Sequence, residues 1–200
     1  LLDISHELRT PVTRIKVALA MLPGSADRDS IMEDVKEIEE KITELLETAR
    51  ALNVGVSMTY AQADLTQIMR NTARQFKTGR PAIQMGVLPE TLPLQIDAEL
   101  IGRAVKNILD NAQKYSPDDA APIEMTLEIE AADVWIVVKD YGIGISNADL
   151  DFIFEPFYRA DKARTPRSDG YGLGLSLART IIEAHGGDIA ITSESGLGTT

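Results

Sequence analysis

Several residue types are scarce in this chain of 200 residues, which has no cysteine, two histidines and one tryptophan. Without cysteine, neither a disulfide framework nor a thiolate metal site can form. Long apolar runs are also absent, since no stretch approaches the ~18 residues that a membrane span requires, and no signal peptide is visible. These absences exclude a disulfide-stabilised scaffold and leave each histidine as a position to be explained.

Acidic residues outnumber basic ones: the chain has 31 Asp and Glu but only 20 Lys and Arg, so its formal net charge is −11. Such a charge argues against nucleic acid as a partner, because its phosphates would be repelled. Hydrophobic content of 44% and charged content of 26% are typical of a globular protein. The sequence starts inside a helical pattern without a cap or an initiator Met and stops just after a glycine turn, so we expect a fragment.

The histidine at position 6 lies on the polar side of an amphipathic helix. With each residue advancing by about 100° from Ile4, the apolar side chains fall within roughly 80° of Ile4: Leu8, Pro11, Val12, Ile15, Leu19 and Leu22. His6 falls near 200° on this scale, toward water, with Thr10 on the same side. Pro11 has no N–H group, so the carbonyl of Glu7 loses its helical partner and we expect a kink beside His6. An exposed histidine next to an acid and a kink is a candidate reactive group.

The first helix, over residues 1–22, is followed by a turn at 23–27 and a second helix over Asp27–Leu52. The apolar residues of the second helix repeat with heptad spacing: Ile31, Val35, Ile38, Ile42, Leu45, Ala49 and Leu52. Two such helices form an antiparallel hairpin, which cannot bury much apolar surface alone. Two hairpins can close a four-helix bundle, so we expect a homodimer. The alternative is a hairpin packed on the rest of its own chain.

The pattern becomes mixed after a linker at 53–57. We expect a helix from Leu65 to Phe76, a long helix over 97–115 and a last helix over 173–184. Residues 123–130 alternate strictly between apolar and polar, as in a half-exposed strand, and form a hairpin with 134–139; further strands are expected at 82–87, 92–96 and 189–192. The predicted fold class is α+β: a helical hairpin, residues 1–54, followed by an α/β sandwich domain, residues 58–200.

Four polar side chains share one flank of the helix over 97–115, because their spacing is i, i+4, i+7 and i+8: Asn107, Asn111, Lys114 and Tyr115. Two amides, an ammonium group and a phenol in a row can form an edge for a cation and phosphates. An amide oxygen is a hard ligand suited to Mg²⁺, which takes few protein ligands and keeps several waters. Taken alone, the same pattern also fits a solvated helix face.

An aspartate and two glycines follow the predicted strand that ends at Lys139. Asp140 could accept a hydrogen bond from an exocyclic amine such as that of adenine, and Gly142 and Gly144 would let the backbone approach a ligand closely. An ordinary turn is the alternative, since a lone Gly-x-Gly is weak evidence.

The glycine-rich run at 169–175 comes directly before a helix, where backbone N–H groups hold phosphate well. It is neither a dinucleotide fingerprint, which would need Gly at position 175 and a preceding strand, nor a Walker loop. Upstream, two aromatic residues and Arg159 lie close to a cluster of basic residues that includes Lys162. This segment is a candidate phosphate contact and mobile lid, or else a solvated loop.

Together these motifs resemble the catalytic core of two-component sensor histidine kinases, over essentially the whole chain. Each motif alone is weak, but six in the right order are specific. The family's phosphoacceptor box matches Ile4–Pro11, and its N box matches Asn107–Tyr115. The first glycine box matches Asp140–Gly144, and the F box matches Phe154–Phe157. The second glycine box matches Gly170–Leu175, and the third matches Gly196–Thr199.

The resemblance implies autophosphorylation by ATP with Mg²⁺, with His6 as the attacking nucleophile and Glu7 as its acid–base partner. It implies that Asn111 binds Mg²⁺ with support from Asn107, that Asp140 reads the adenine amine, and that Thr10 assists dephosphorylation of a response regulator. The remaining residues that it assigns to the nucleotide and its phosphates are Lys114, Tyr115, Gly142, Gly144, Arg159, Lys162, Gly170, Gly172, Leu173, Gly174, Leu175 and Thr199.

The resemblance also implies a homodimer, an aspartate of a response regulator as phosphoryl acceptor, and a place in the cytoplasmic part of a membrane-anchored bacterial protein. Two departures stand out: Tyr171 replaces a small hydroxyl residue, and the usual strand after Gly198-Thr199 is missing from the sequence. His185 matches a recurrent family position, for which we expect a structural role at a helix C-terminus. The alternatives are an ATPase of the same nucleotide fold that performs conformational work, and a catalytically degenerate dimeric scaffold.

Overall fold

The chain forms two compact units, Leu1–Val56 and Ser57–Thr200. No helix among the described residues combines the length and the apolar character needed to cross a membrane. The computed structural model describes residues 2–52, 58–76, 80–131, 133–160 and 172–200, and within the first unit it describes the side chains of residues 10–36, 38, 39 and 42.

The first unit is a hairpin of helices α1 (Leu2–Ala20) and α2 (Ala26–Leu52). Helix α1 continues through Pro11. It ends two residues earlier than predicted, and Met21 and Leu22 close the turn with N–H bonds to carbonyls three residues back. The residue before a proline is disfavoured in helical conformation, so Pro23 explains this end.

The hairpin buries only part of the predicted seam. Its buried core consists of Val12, Leu19 and Val35. Met32 and Ile42 are partly buried and pack against this core, and Met32 was not among the predicted seam residues. The seam residues Ile31 and Ile38 remain 45% and 44% exposed. A single partner helix covers only one stripe of α2, which explains why Ile31 and Ile38 stay partly uncovered in one hairpin. The side chains of Leu45, Ala49 and Leu52, the remaining predicted seam residues, lie outside what the structure describes.

The second unit contains a three-stranded sheet of β2 (Ile83–Met85), β4 (Ile123–Glu130) and β5 (Asp133–Lys139), with β4 in the centre. Strand β4 runs antiparallel to β5 and parallel to β2. The alternation of β4 is confirmed up to Glu128, because Ile123, Met125 and Leu127 are buried while Glu124 and Glu128 are exposed. Ile129 departs from the predicted pattern, since it is 56% exposed near the end of the strand. A second, two-stranded sheet pairs β1 (Ala61–Asp64) with β3 (Pro93–Ile96).

The second unit also contains helices α3 (Leu65–Arg74), α4 (Ala98–Lys114), α5 (Asn147–Leu150) and α6 (Gly174–Ala184). Buried apolar side chains of α3, α4 and α6 form its core together with those of β4. The α+β class, a helical hairpin followed by an α/β domain, is therefore confirmed. Helices α4 and α6 pack closely on each other, which brings the segments that carry the N box and the second glycine box together.

One predicted strand is wrong. Residues 189–192 are irregular, and the strand pair consists of β6 (Ser193–Glu194) and β7 (Gly198–Thr199). Pairing starts at Thr192, which exchanges two backbone hydrogen bonds with Thr200. Ile189 and Ile191 are spaced as in a strand, but the tight turn between β6 and β7 determines which residues pair with each other.

His185 has the structural role expected for it. Its Nδ1 lies 2.7 Å from the carbonyl oxygen of Ile181, and its Nε2 accepts the backbone N–H of Asp97 at 3.0 Å. A carbonyl oxygen can only accept, so Nδ1 carries the proton. The ring therefore connects the end of α6 to Asp97, whose side chain caps the start of α4 through the N–H of Leu100.

Candidate functional site

The N box and the second glycine box meet where α4 passes the start of α6. A Cβ placed on Gly174 would lie 3.8 Å from both the Cβ of Asn107 and the Nδ2 of Asn111. Both asparagines are half-buried, so neither belongs to a freely solvated helix face. The structure thus places two amides beside the first turn of a helix.

The start of α6 has the features of an anion site. Leu173 stands at the N-cap, and a leucine side chain has no atom that can bond the first N–H groups of the helix. Helix N-termini attract anions through these N–H groups and through the helix dipole. Leu173 itself is fully buried, which fixes this turn against the core, while Leu175 is half-buried one residue into the helix.

Lys114 and Tyr115 close α4. The Lys114 ammonium lies 5.2 Å from the centre of the Tyr115 ring, which is 42% exposed. The carbonyl of Tyr115 accepts the N–H of Ile143 at 3.0 Å, so the end of α4 is bonded directly to the loop that follows β5.

The loop after β5 holds Asp140 in a half-buried position. Its Oδ1 accepts the N–H of Gly142 at 2.9 Å. Burial raises the pKa of Asp140, and the backbone N–H groups of Gly142 and Thr199 oppose that rise by favouring the ionised form. A desolvated carboxylate is a strong acceptor for an amine.

Two glycines allow this loop to form. A Cβ on Gly142 would overlap the carbonyl oxygen of Tyr115, and a Cβ on Gly144 would overlap that of Glu194. Gly144 also has φ +65°, which L side chains rarely adopt. The loop therefore lies tightly between the end of α4 and the β6–β7 turn.

The β6–β7 turn supports Asp140 from the other side. Asp140 and Thr199 form an antiparallel bridge, with the Asp140 N–H bonded to the Thr199 carbonyl at 2.8 Å. Ser193, which the sequence reasoning missed, accepts the N–H of Ile145 and bonds with Thr199. A serine in a strand of only two residues has no periodic signal that would single it out.

The F box contacts the second glycine box. The N–H of Phe157 bonds to the carbonyl of Gly172 at 2.9 Å, and Phe157 has φ +66°, a strained value for this residue type. Nearby, the Asp149 carboxylate accepts the Tyr158 hydroxyl at 2.7 Å. Hydrogen bonds from Ser146 and Tyr158 lower the pKa of Asp149. These contacts fix the segment that carries Arg159, which is half-buried.

The phosphoacceptor box lies in the first unit, where residues 6, 7 and 10 belong to α1. Thr10 is exposed. The side chains of His6 and Glu7, together with Lys162, Gly170 and Tyr171, lie outside what the structure describes.

Two known domain families cover most of the chain. Residues 96–200 match the family described as histidine kinase-, DNA gyrase B- and HSP90-like ATPase, and residues 1–53 match the His Kinase A phospho-acceptor domain.

Among curated proteins, the sensor histidine kinase WalK of Bacillus subtilis is 32% identical over 99% of this chain and 34% of its own length. CpxA of Escherichia coli is 34% identical over 92% of this chain and 41% of its own length. The crystal structure of full-length ShkA in complex with AMPPNP has the same fold, with a TM-score of 0.78 at 23% identity over 99% of this chain and 43% of that one.

The chain thus spans well under half the length of these curated relatives. Both domain families match in the order that the six sequence boxes predicted, and the fold agrees. The chain belongs to the two-component sensor histidine kinases and contains matches to their phosphoacceptor and ATP-binding domains.

Proposed function

We propose that this chain transfers the γ-phosphoryl group of ATP to His6. The observation that carries the proposal is that α4 contacts both other boxes in the second unit: its two asparagines lie beside the start of α6, and its end is bonded to the loop that holds Asp140. Together they supply an anion site, amide ligands and a desolvated carboxylate, the groups that are needed to bind a nucleoside triphosphate.

In this proposal Asp140 accepts the exocyclic amine of adenine and Tyr115 flanks the base. The phosphates lie against the first turn of α6, where the second glycine box supplies backbone N–H groups and the helix dipole. Lys114, Arg159 and Lys162 neutralise part of the phosphate charge.

Mg²⁺ fits the same edge. The amide of Asn111 lies beside the start of α6, and an amide oxygen suits a hard cation that keeps most of its waters. Asn111 would hold the ion with support from Asn107. When bound, the ion supplies charge neutralisation for the phosphates, and the protein's own task is to align the nucleotide.

The chemical step forms a bond from a ring nitrogen of His6 to the γ-phosphorus and breaks the bond from that phosphorus to the β–γ bridging oxygen, which leaves with ADP. Glu7 serves as the acid–base partner of the ring. The phosphoryl group then passes to an aspartate of a response regulator. Thr10, exposed on the same helix, orients water when that regulator is dephosphorylated.

The proposal includes a homodimer and a membrane-anchored parent whose cytoplasmic part contains this chain. Exposed apolar residues on both helices of the hairpin and in the turn between them support the dimer, because a second hairpin would cover them; they are Ile15, Val17, Met21, Leu22, Ile31 and Ile38. The names of the curated relatives and the fraction of their length that is matched support the longer parent.

Replacing both Ile31 and Ile38 by Asp should convert the dimer into monomers. Burying one isoleucine contributes about 1.5–3 kcal/mol, so losing two per protomer should raise the dimer Kd at least about 100-fold. Light scattering after gel filtration gives the mass. Val87→Asp, at a residue 97% exposed in the second unit, is the matched control and should leave the mass unchanged. A double variant that keeps the dimer mass would contradict this arrangement.

Incubation with γ-labelled ATP and Mg²⁺ tests the proposed function. We expect label on the protein that is lost in acid and retained in alkali, because a phosphorus–nitrogen bond to histidine has that stability. Hydrolysis of ATP without bound label would favour an ATPase that performs conformational work. Acid-stable label would place the phosphoryl group on another residue type.

A further inference from the structure

The Ser193 hydroxyl joins three backbone segments beside Asp140. Its oxygen accepts the N–H of Ile145 at 2.8 Å and lies 2.9 Å from the carbonyl oxygen of Gly198. It also lies 2.8 Å from the hydroxyl oxygen of Thr199. The β6–β7 turn and the loop after β5 are thus joined through one side chain.

The number of protons fixes the direction of these bonds. A serine hydroxyl has one proton, and a carbonyl oxygen can only accept. The contact with Gly198 therefore uses the Ser193 proton. Because the Ser193 proton is used in this way, Thr199 donates its own proton to Ser193. The Thr199 oxygen can then only accept further hydrogen bonds.

Thr199 and Asp140 present their side chains together. They are directly opposite residues of an antiparallel bridge, and such residues project from the same face with their Cβ atoms about 4.5–5.5 Å apart. Asp140, when ionised, also has only lone pairs to offer. Both side chains at this end of the site are then acceptors.

We propose that Ser193 is a positioning residue that holds the Thr199 hydroxyl as an acceptor and thereby makes the site selective for a base with an exocyclic amine. A keto oxygen in the same place would face two acceptors and lose its hydrogen bonds. This inference rests on the proposed function, in which Asp140 reads adenine. It adds a specificity role for a residue that does not itself contact the base.

Calorimetric titration with ADP and with inosine diphosphate tests the inference, because the two ligands differ only at the base edge, where the amine is replaced by a keto group and a ring N–H. Ser193→Ala frees the Thr199 hydroxyl to turn and donate to the keto oxygen. We expect the ratio of ADP to inosine diphosphate affinity to fall about tenfold. Ser195→Ala, at an exposed serine of the same turn, should leave the ratio unchanged.

A purely structural Ser193 would weaken both ligands by the same factor and leave the ratio intact, which would overturn the inference. If Ser193→Ala fails to fold, Thr199→Val provides the test, because it keeps Ser193 and removes the acceptor hydroxyl. We expect the ratio of ADP to inosine diphosphate affinity to fall in this variant. An unchanged ratio would overturn the inference. With Thr199→Val in place, Ser193→Ala should not change the ratio further. Failure of the proposed function is a different result, in which the wild-type protein binds neither ligand.

Discussion

Asp140→Asn should weaken ADP binding by roughly 10- to 100-fold, because a hydrogen bond to a charged group contributes about 1.5–3 kcal/mol. One carboxylate oxygen is already engaged by the N–H of Gly142. In the variant the amide oxygen would keep that bond, and the amide NH₂ would face the NH₂ of adenine. Two donors would then oppose each other. Calorimetric titration with ADP measures the loss, and an affinity within about twofold of the wild type would exclude Asp140 from base recognition.

The same substitution should change how binding depends on pH. Burial raises the pKa of Asp140, so the carboxylate takes up a proton at a higher pH than an ordinary aspartate does. Wild-type affinity for ADP should therefore decrease as the pH falls through this raised pKa, and the decrease should be absent in Asp140→Asn. Parallel pH profiles of the two proteins would contradict this assignment.

The stability of the nucleotide-free protein should move in the opposite direction. A folded pKa above the unfolded one means that the folded state binds the proton more tightly. The stabilising contribution of Asp140 is then complete below the unfolded pKa and is lost as the pH rises through the folded pKa. At neutral pH the neutral Asn avoids the cost of a desolvated charge, so the melting temperature of Asp140→Asn should not fall.

Local patterns predicted most of the fold. The strand at 123–130 follows from alternation alone, and the hairpin follows from heptad spacing around a short turn. Where prediction failed, a non-local choice decided the outcome. The spacing of Ile31 and Ile38 shows an apolar seam but does not show which of its positions α1 covers.

The candidate site divides in the same way. Asn107, Asn111 and Asp140 are placed by one helix and one strand end, so their spacing in the sequence was informative. Ser193 bonds to a backbone N–H 48 residues away in the chain, and a contact at that separation leaves no periodic trace. The strained backbone at Phe157 also depends on its contact with Gly172.

His6→Gln should abolish protein-bound label completely. Glutamine has similar size and polarity but no ring nitrogen that can attack phosphorus. Nucleotide binding should persist, because the nucleotide residues belong to the other compact unit. The chain has only two histidines, so His185→Gln is the natural control. The ring of His185 is engaged on both nitrogens by backbone groups, and we expect that variant to keep its label.

Label from γ-labelled ATP and affinity for ADP, measured side by side in the wild type, His6→Gln and Asp140→Asn, test most directly whether His6 receives the phosphoryl group. We predict acid-labile label on the wild type, no label with wild-type ADP affinity for His6→Gln, and greatly reduced label with weakened ADP binding for Asp140→Asn. Acid-labile label that persists on His6→Gln would contradict the central claim that His6 receives the phosphoryl group.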